Sequence, residues 1–236
     1  MKLLVLSGGF GTRLQSAVSG IPKALAPIGH IPLLLLQIVN WKEQGIRSFV
    51  FLLHHQAELI INFLNNQQNN GVLEDCDVSW VVEPMPMDTG GSIAYAVKEL
   101  RLDGTFLATN ADSWLGSGIG AMMKASPPAI AIVKMQNSSR YGGVVFNRNH
   151  CITAFHEKNT IHESSWISAG LYLLNAEFFN DWNQLPFSLE RHFFPTMVAN
   201  KDLRAVELQT DFIDIGIPDD YYRFCRWIEL DREIEL

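Results

Sequence analysis

Nothing in this sequence builds a covalent or zinc framework. Its three cysteines, Cys76, Cys151 and Cys225, are odd in number and far apart, and none forms a Cys-x-x-Cys pair. That excludes disulfide scaffolds, zinc ribbons and thioredoxin-type redox pairs, and leaves reduced thiols as the expectation. The histidines offer no cluster either. His54 and His55 are adjacent, and neighbouring side chains on a strand point to opposite faces. A basic excess is missing: the formal charge is −7, which argues against a general nucleic-acid binder. No apolar run reaches membrane-spanning length, since residues 31–39 are interrupted by Pro32 and Gln37. Residues 3–6 are too short for the core of a signal peptide. Internal repeats, low-complexity tracts and Pro/Ser-rich linkers are also absent. A soluble, cytoplasmic protein with no membrane or nucleic-acid partner is expected.

What the chain does have is apolar mass, with 47% hydrophobic against 18% charged residues over 236 positions. That is enough for a sizeable core and leaves little room for disorder. Strand-like and helix-like segments alternate in the first half. Strands are expected at 2–7, 48–53, 78–82, 105–109 and 129–135, with helices at 32–44, 56–66 and 91–100. The Asn/Gln-rich residues 65–71 read as an exposed loop. This rhythm implies an α/β fold: a Rossmann-like, mostly parallel or mixed sheet with helices on both faces and ligands at the strands' carboxyl ends. The second half changes character. Short strands at 142–147, 151–156 and 168–174 suggest a small mixed or antiparallel subregion, followed by helices at 189–199 and 219–229. One continuous domain, 1–236, is expected. Its two lobes divide near residue 135.

The most informative segment is residues 1–27. An apolar strand runs through Leu6 and Ser7 into Gly8-Gly9-Phe10-Gly11-Thr12-Arg13-Leu14, and Pro22-Lys23-Ala24-Leu25-Ala26-Pro27 follows. Glycines let a backbone approach an anion and present its N–H groups to it. Arg13 can grip phosphate oxygens in a planar fork, and Lys23 can act as a mobile point charge. No Gly-Lys-Ser/Thr closes the loop, so it is not a Walker A motif, and its glycine spacing is not that of a dinucleotide fingerprint. A bare turn needs one or two glycines and no fixed arginine.

Two aspartates stand out. Asp112 closes the strand ending Thr109-Asn110-Ala111-Asp112. A carboxylate there suits Mg²⁺, which takes one or two carboxylates and completes its shell with phosphate oxygens and water; a turn or helix cap is the other reading. Asp214 lies between Ile213 and Ile215 in Phe212-Ile213-Asp214-Ile215-Gly216-Ile217-Pro218-Asp219-Asp220-Tyr221. Burying it without a partner is costly, and metal coordination or helix capping would each supply one.

The first 27 residues closely resemble the signature of the nucleoside-diphosphate-sugar pyrophosphorylases, the sugar-1-phosphate nucleotidyltransferases. That signature is Gly-Gly-x-Gly-Thr-Arg-Leu followed by Pro-Lys-x-Leu/Met-x-Pro. The resemblance extends from Lys2 to about Tyr222 and implies the nucleotide-diphospho-sugar transferase fold. By it, Leu6, Ser7, Gly8, Gly9, Gly11, Thr12 and Arg13 bind the nucleotide, and Arg13 and Lys23 are catalytic. Asp112 and Asp214 hold Mg²⁺ or Mn²⁺. Asp88-Thr89-Gly90-Gly91-Ser92 resembles the family's base-binding Gly-Thr-Gly-Gly-Ala, with Asp88 replacing a glycine. Glu83 falls near the base. A carboxylate at Glu83 or Asp88 could accept from the guanine N1–H and amino group; solvated loop charges are the plainer reading of both.

On the sugar side, Gly143 falls in a Tyr-Gly-Val-like stretch. Glu157 and Lys158 match Phe-x-Glu-Lys, which implies contacts to sugar hydroxyls and sugar phosphate. Ser168 and Ala169 match Asn-Ala-Gly, with Ser168 in place of the asparagine. Ser188-Leu189-Glu190 matches an element of uncertain role, or else a capped helix start. The substrates implied are a nucleoside triphosphate and a sugar 1-phosphate, and a homodimer is compatible with the chain. The likeness is strongest to the guanylyltransferase branch, and within it to D-glycero-α-D-manno-heptose 1-phosphate guanylyltransferases. Thymidylyl, uridylyl and cytidylyl relatives share most of these motifs, and molybdopterin-type nucleotidyltransferases share the broad fold. A nucleotide-sugar-binding protein that has lost catalysis is the rival from another class. It is supported by Ala111, Asp88 and Ile217, which depart from the family pattern, and opposed by the retention of Arg13, Lys23, Asp112 and Asp214.

Overall fold

The computed structural model describes residues 1–136, 141, 143–156 and 165–231. The strands are β1 (Lys2–Ser7), β2 (Pro27–Ile28), β3 (Ile31–Pro32), β4 (Ser48–Leu53), β5 (Asp77–Val82), β6 (Thr105–Asn110), β7 (Ser113–Leu115), β8 (Ala129–Met135), β9 (Gly143–Phe146), β10 (Ile152–His156), β11 (Ser165–Asn175), β12 (Arg204–Leu208) and β13 (Phe212–Asp214). The helices are α1 (Leu33–Glu43), α2 (Ala57–Asn69), α3 (Asp88–Glu99), α4 (Ile119–Met122), α5 (Phe194–Ala199) and α6 (Pro218–Asp231). Among the described residues, no helix is long and apolar enough to cross a membrane.

Side-chain alternation along β1 explains the layering. Leu3 and Val5 enter one buried cluster with Phe49, Phe51 and the inner faces of α1 and α2. Leu4 enters a second with Val50, Leu52, α3 and Phe194 on the opposite face. A strand apolar on both faces has to lie mid-sheet under helices on both sides. Accordingly β1 pairs in parallel with β4 and β6, and β4 with β5. A third cluster joins Leu14, Ile28 and Leu33 to Ile213, Ile215, Tyr221 and Phe224, so the two most distinctive sequence segments pack together.

The sheet is mostly parallel in its first half and mixed in its second, as expected, but its second half is not a separate patch. The order is β10-β9-β11-β6-β1-β4-β5, with β8 on β11 and β12 on β8, nine strands in one sheet among the described residues. The long β11 makes this continuity, pairing antiparallel with β6, β8 and β9. The small antiparallel units are instead β2–β3 and β7–β13. Helix α2 runs to Asn69, into residues expected to be loop, and the left-handed Gly71 at φ +85° follows. The expected helix at 189–199 begins as a wide π turn, Leu189–Phe193, before α5. Pro195 lacks an N–H, and its ring would clash with the carbonyl four residues back in a regular helix; the wide turn makes room for it.

Candidate functional site

The carboxyl ends of β1, β5 and β6 open on one cleft of about 370 Å³. Leu6, Ser7, Gly8, Gly9 and Gly11 line it, with Lys23, Glu83, Asp88, Thr89 and Asp112. Phe10, Ser92 and Asn110 line it too, though the sequence reading gave them no role. Asn110 had a readable signal, since it ends a buried strand two residues before Asp112.

The glycine loop is shaped by its neighbours. A Cβ on Gly8 would come within 3.2 Å of the His54 Cβ and 3.3 Å of a Glu83 carboxylate oxygen. Gly11 adopts φ +61°, and its carbonyl accepts from the Leu14 N–H at 3.0 Å, closing a tight turn over Thr12–Leu14. Leu14 is buried in the third cluster, which leaves Thr12 and Arg13 exposed beside the cleft.

Lys23 sits in a second tight turn, Lys23–Leu25, pinned by the buried Ala24 and Ala26. The Tyr221 hydroxyl of α6 donates to the Pro27 carbonyl at 2.5 Å and fixes the turn's exit. The Lys23 ammonium reaches Asp112 Oδ2 at 2.6 Å. Asp112 in turn is joined to the β13 exit, where the Ile215 N–H donates to its carbonyl at 3.0 Å. Asp214 follows from this connection, paired in register with Ser113 on β7. Its Oδ1 accepts from the Gly216 N–H at 2.7 Å. Burial raises the Asp214 pKa, and the Asp112 charge raises it further. Lys23, the Gly216 N–H and Arg13 pull it back down. Lys23 and Asp112 are in contact, and the charges of Asp112, Lys23 and Arg13 are all felt at Asp214.

That point suits a divalent cation. Two carboxylates repel each other there, and a cation would relieve the repulsion. Among the described residues no group of three or more His, Cys, Asp or Glu converges. A two-carboxylate site that completes its shell with phosphate and water has the chemistry of Mg²⁺ rather than of zinc.

Glu83 forms the cleft's buried side, only 7% exposed. Burial raises its pKa, while hydrogen bonds from the Ser92 hydroxyl and the Met87 N–H, and the nearby His54, lower it. The Ser92 hydroxyl donates to Oε1, and the Met87 N–H to Oε2 at 3.1 Å. Asp88 is positioned differently. It lies at φ +59°, the left-handed region in which a glycine is at home and an aspartate is tolerated. Its carboxylate pairs with Arg191 at 2.5 Å and accepts from the Thr89 N–H at 2.8 Å. Gly90 does not line the cleft. Its N–H donates to the Phe187 carbonyl at 2.9 Å, and a Cβ there would sit 2.2 Å from the Phe187 ring.

The sugar-side residues are less assembled. Gly143 lies at the β9–β11 pairing and Ala169 is buried in the core, and neither lines the cleft. Ser168 begins a break in the β11 ladder, where Gly170 takes φ +71°. A Cβ on Gly170 would come within 2.7 Å of the Asn110 amide, so the break lies against the cleft wall. Glu157 and Lys158 lie outside the described residues. Ala111, which replaces the family's glycine, is not among the residues with positive φ, so its methyl group adds no backbone strain.

The sequence model of the family described as "Nucleotidyl transferase" matches residues 2–229. The chain is 30% identical over 226 residues to the D-glycero-alpha-D-manno-heptose 1-phosphate guanylyltransferase of Campylobacter jejuni, covering 95% of this chain and 98% of that one. It is 31% identical over 229 residues to the mannose-1-phosphate guanyltransferase of Schizosaccharomyces pombe, covering 94% of this chain but only 62% of that longer protein. Among solved structures, HddC from Yersinia pseudotuberculosis complexed with GMP-PN superposes with a TM-score of 0.82 at 28% identity, covering 96% of this chain and 99% of that one.

Proposed function

The chain belongs to the nucleotidyl transferase family, and on that premise we propose that it joins GTP and a sugar 1-phosphate into a GDP-sugar, releasing pyrophosphate. The observation that supports this reading is the Lys23–Asp112 ion pair in the glycine-loop cleft, with the charges of Asp112, Lys23 and Arg13 felt at Asp214. A manno-heptose or related hexose 1-phosphate is the acceptor favoured by the names of the similar proteins.

A phosphate oxygen of the sugar 1-phosphate attacks the α-phosphorus, and the bond to the β-phosphate bridging oxygen breaks. The attacking phosphate is already mostly ionised at neutral pH, given a second pKa of about 6, so no side chain has to remove a proton. The chain's task is alignment and charge neutralisation. The loop N–H groups cradle the triphosphate. Arg13, exposed at the loop's end, grips the departing pyrophosphate. Lys23 neutralises the α-phosphate, and Asp112 holds its ammonium in place beforehand. Asp112 and Asp214 would hold Mg²⁺, which when bound supplies charge neutralisation between nucleotide and sugar phosphates.

For the base, Glu83 is the better placed of the two carboxylates. Its two oxygens each have one partner, which leaves two acceptor sites for the guanine N1–H and amino group. Asp88 spends its charge on Arg191 at the rim. Glu157 and Lys158 are assigned to the sugar hydroxyls and sugar phosphate by resemblance alone. The rival binding-protein reading loses two of its supports, because Ala111 is unstrained and Asp88 is charge-paired.

The test is a pyrophosphate-release screen of five nucleoside triphosphates against a panel of sugar 1-phosphates with Mg²⁺. Turnover with GTP and a mannose-type sugar phosphate is expected. Arg13→Ala and Lys23→Ala should keep the fold and lose roughly 10²–10³ in rate. Near-normal rates in either folded variant would remove that residue from the mechanism, and no turnover across the whole screen would favour the binding protein.

A further inference from the structure

One carboxylate in the wide turn after Phe187 makes more hydrogen bonds than a turn requires. Glu190 Oε2 accepts from the Thr89 and Ser188 hydroxyls, each at 2.7 Å, and Oε1 accepts from the Tyr172 hydroxyl at 3.1 Å. The direction of the first two bonds is fixed by their other partners. Thr89 Oγ1 accepts from the Leu189 N–H at 2.9 Å, and Ser188 Oγ from the Arg191 N–H at 3.2 Å, so both hydroxyls spend their proton on Glu190. Capping does not explain the arrangement, because Ser188 already caps this turn.

The partners of Glu190 lie on different sides of the site. Thr89 lines the cleft at the start of α3, next to Asp88. Tyr172 is fully buried on β11, two residues beyond Gly170. Tyr172 closes the break in the β11 ladder that begins at Ser168, and the Asp112 charge is felt at its phenol. Burial and the neighbouring Glu190 and Asp112 charges hold the Tyr172 pKa well above its ordinary value, so the phenol keeps its proton for donation. A continuous chain, Thr89–Glu190–Tyr172, thus runs from the nucleotide side to the edge of the ladder break between Ser168 and Tyr172, the break assigned to the sugar side. The Asp88–Arg191 ion pair ties the start of α3 to the wide turn a second time.

We propose that Glu190 is a positioning residue that holds the nucleotide side and the sugar-phosphate side of the cleft in one register, coupling the binding of the two substrates. This rests on the nucleotidyl-transfer reading above. A carboxylate is suited to the role because it offers four acceptor sites and no donor, so three hydroxyls can converge on it without conflict. An amide in its place would turn a donor toward at least one of them.

The experiment compares Glu190→Gln, Thr89→Val, Tyr172→Phe and the Thr89→Val/Tyr172→Phe double variant in the full chain. The readouts are kcat, KM for GTP, KM for mannose 1-phosphate and the thermal midpoint. Glu190→Gln should raise both KM values and lower kcat/KM by about 10- to 100-fold, the scale expected from misplacement near reacting groups. The double variant should cost little more than the worse single variant, because either cut opens the same chain. Multiplicative losses in the double variant, or wild-type kinetics for Glu190→Gln, overturn the inference. So does a loss of activity that follows a fall in thermal midpoint, since that is bulk stability. An inactive wild type overturns the functional reading instead. Calorimetry with GTP and mannose 1-phosphate then decides the coupling: each ligand should tighten the other in wild type and not in Glu190→Gln, and equal behaviour in both proteins overturns it.

Discussion

Glu83 shows what the cleft costs at the scale of one residue. Its carboxylate is buried and its pKa raised from the ordinary 4.5, chiefly by loss of solvent. The folded protein therefore holds that proton more tightly than the unfolded chain does. The stability this contributes is full below the ordinary carboxylate range and is lost as pH rises through the raised value. At neutral pH the ionised group is a net burden on the fold. Glu83→Gln, whose amide can still meet Ser92 and Met87, should raise the thermal midpoint at pH 7 by about 2–4 °C for each kcal/mol relieved. The gain should shrink below about pH 4. Thermal melts across pH check this, and a midpoint below wild type at pH 7 would show the charge to be stabilising. The position of Glu83 at the end of a strand could be read from sequence. Its pairing with Ser92 and its neighbour Gly8 could not, because they come from three separate segments.

At the scale of elements, residues 88–92 show how one motif can serve two purposes. The sequence reading gave Gly90 to the base. The structure packs it against Phe187, with a hypothetical Cβ 2.2 Å from the ring, while Thr89 and Asp88 line the cleft. The ring in turn lies 6.5 Å from Phe179 within the second cluster, so it has limited freedom to retreat. Gly90→Ala should therefore destabilise the protein by about 1–3 kcal/mol through overpacking. Denaturant titration is the check, and a loss below about 0.5 kcal/mol would mean the ring moves aside freely. The strand–helix alternation of the first half was legible because each period is local. β12 was not, since its five residues, Arg204–Leu208, gain their strand geometry by pairing with β8 some seventy residues earlier. The break in the helix expected at 189–199 had a visible cause in Pro195.

For the molecule as a whole, the cleft's selectivity is the property that follows from its assembly. With Glu83 fixed by Ser92 and Met87, adenine would bring neither the N1–H nor the amino donor that guanine offers at that edge. It would leave the two remaining acceptor sites of a desolvated carboxylate unfilled. The ratio of kcat/KM for GTP over ATP is expected to be large, up to about 10⁴. Pyrimidine triphosphates should be disfavoured more by lost stacking area than by hydrogen bonding. Measuring kcat/KM for GTP, ATP, UTP, CTP and dTTP with one accepted sugar 1-phosphate checks this. A clear preference for dTTP or UTP would overturn the guanylyl assignment and leave nucleotidyl transfer standing.

The amino-acid sequence alone determined the glycine loop, the Arg13 and Lys23 motifs, the α/β rhythm and the family resemblance, because these depend on short spacings and local backbone freedom. Tertiary structure decided which charges meet. Lys23 and Asp112 are 89 positions apart and form an ion pair at 2.6 Å. Asp214 joins them only because β13 pairs with β7 and the Ile215 N–H reaches back to Asp112. Tertiary structure also made the second half part of one sheet, since β11 is long enough to pair with β6, β8 and β9. It converted Ser188-Leu189-Glu190 from an unassigned motif into a junction, because a carboxylate's partners are fixed by which hydroxyls the fold brings to it.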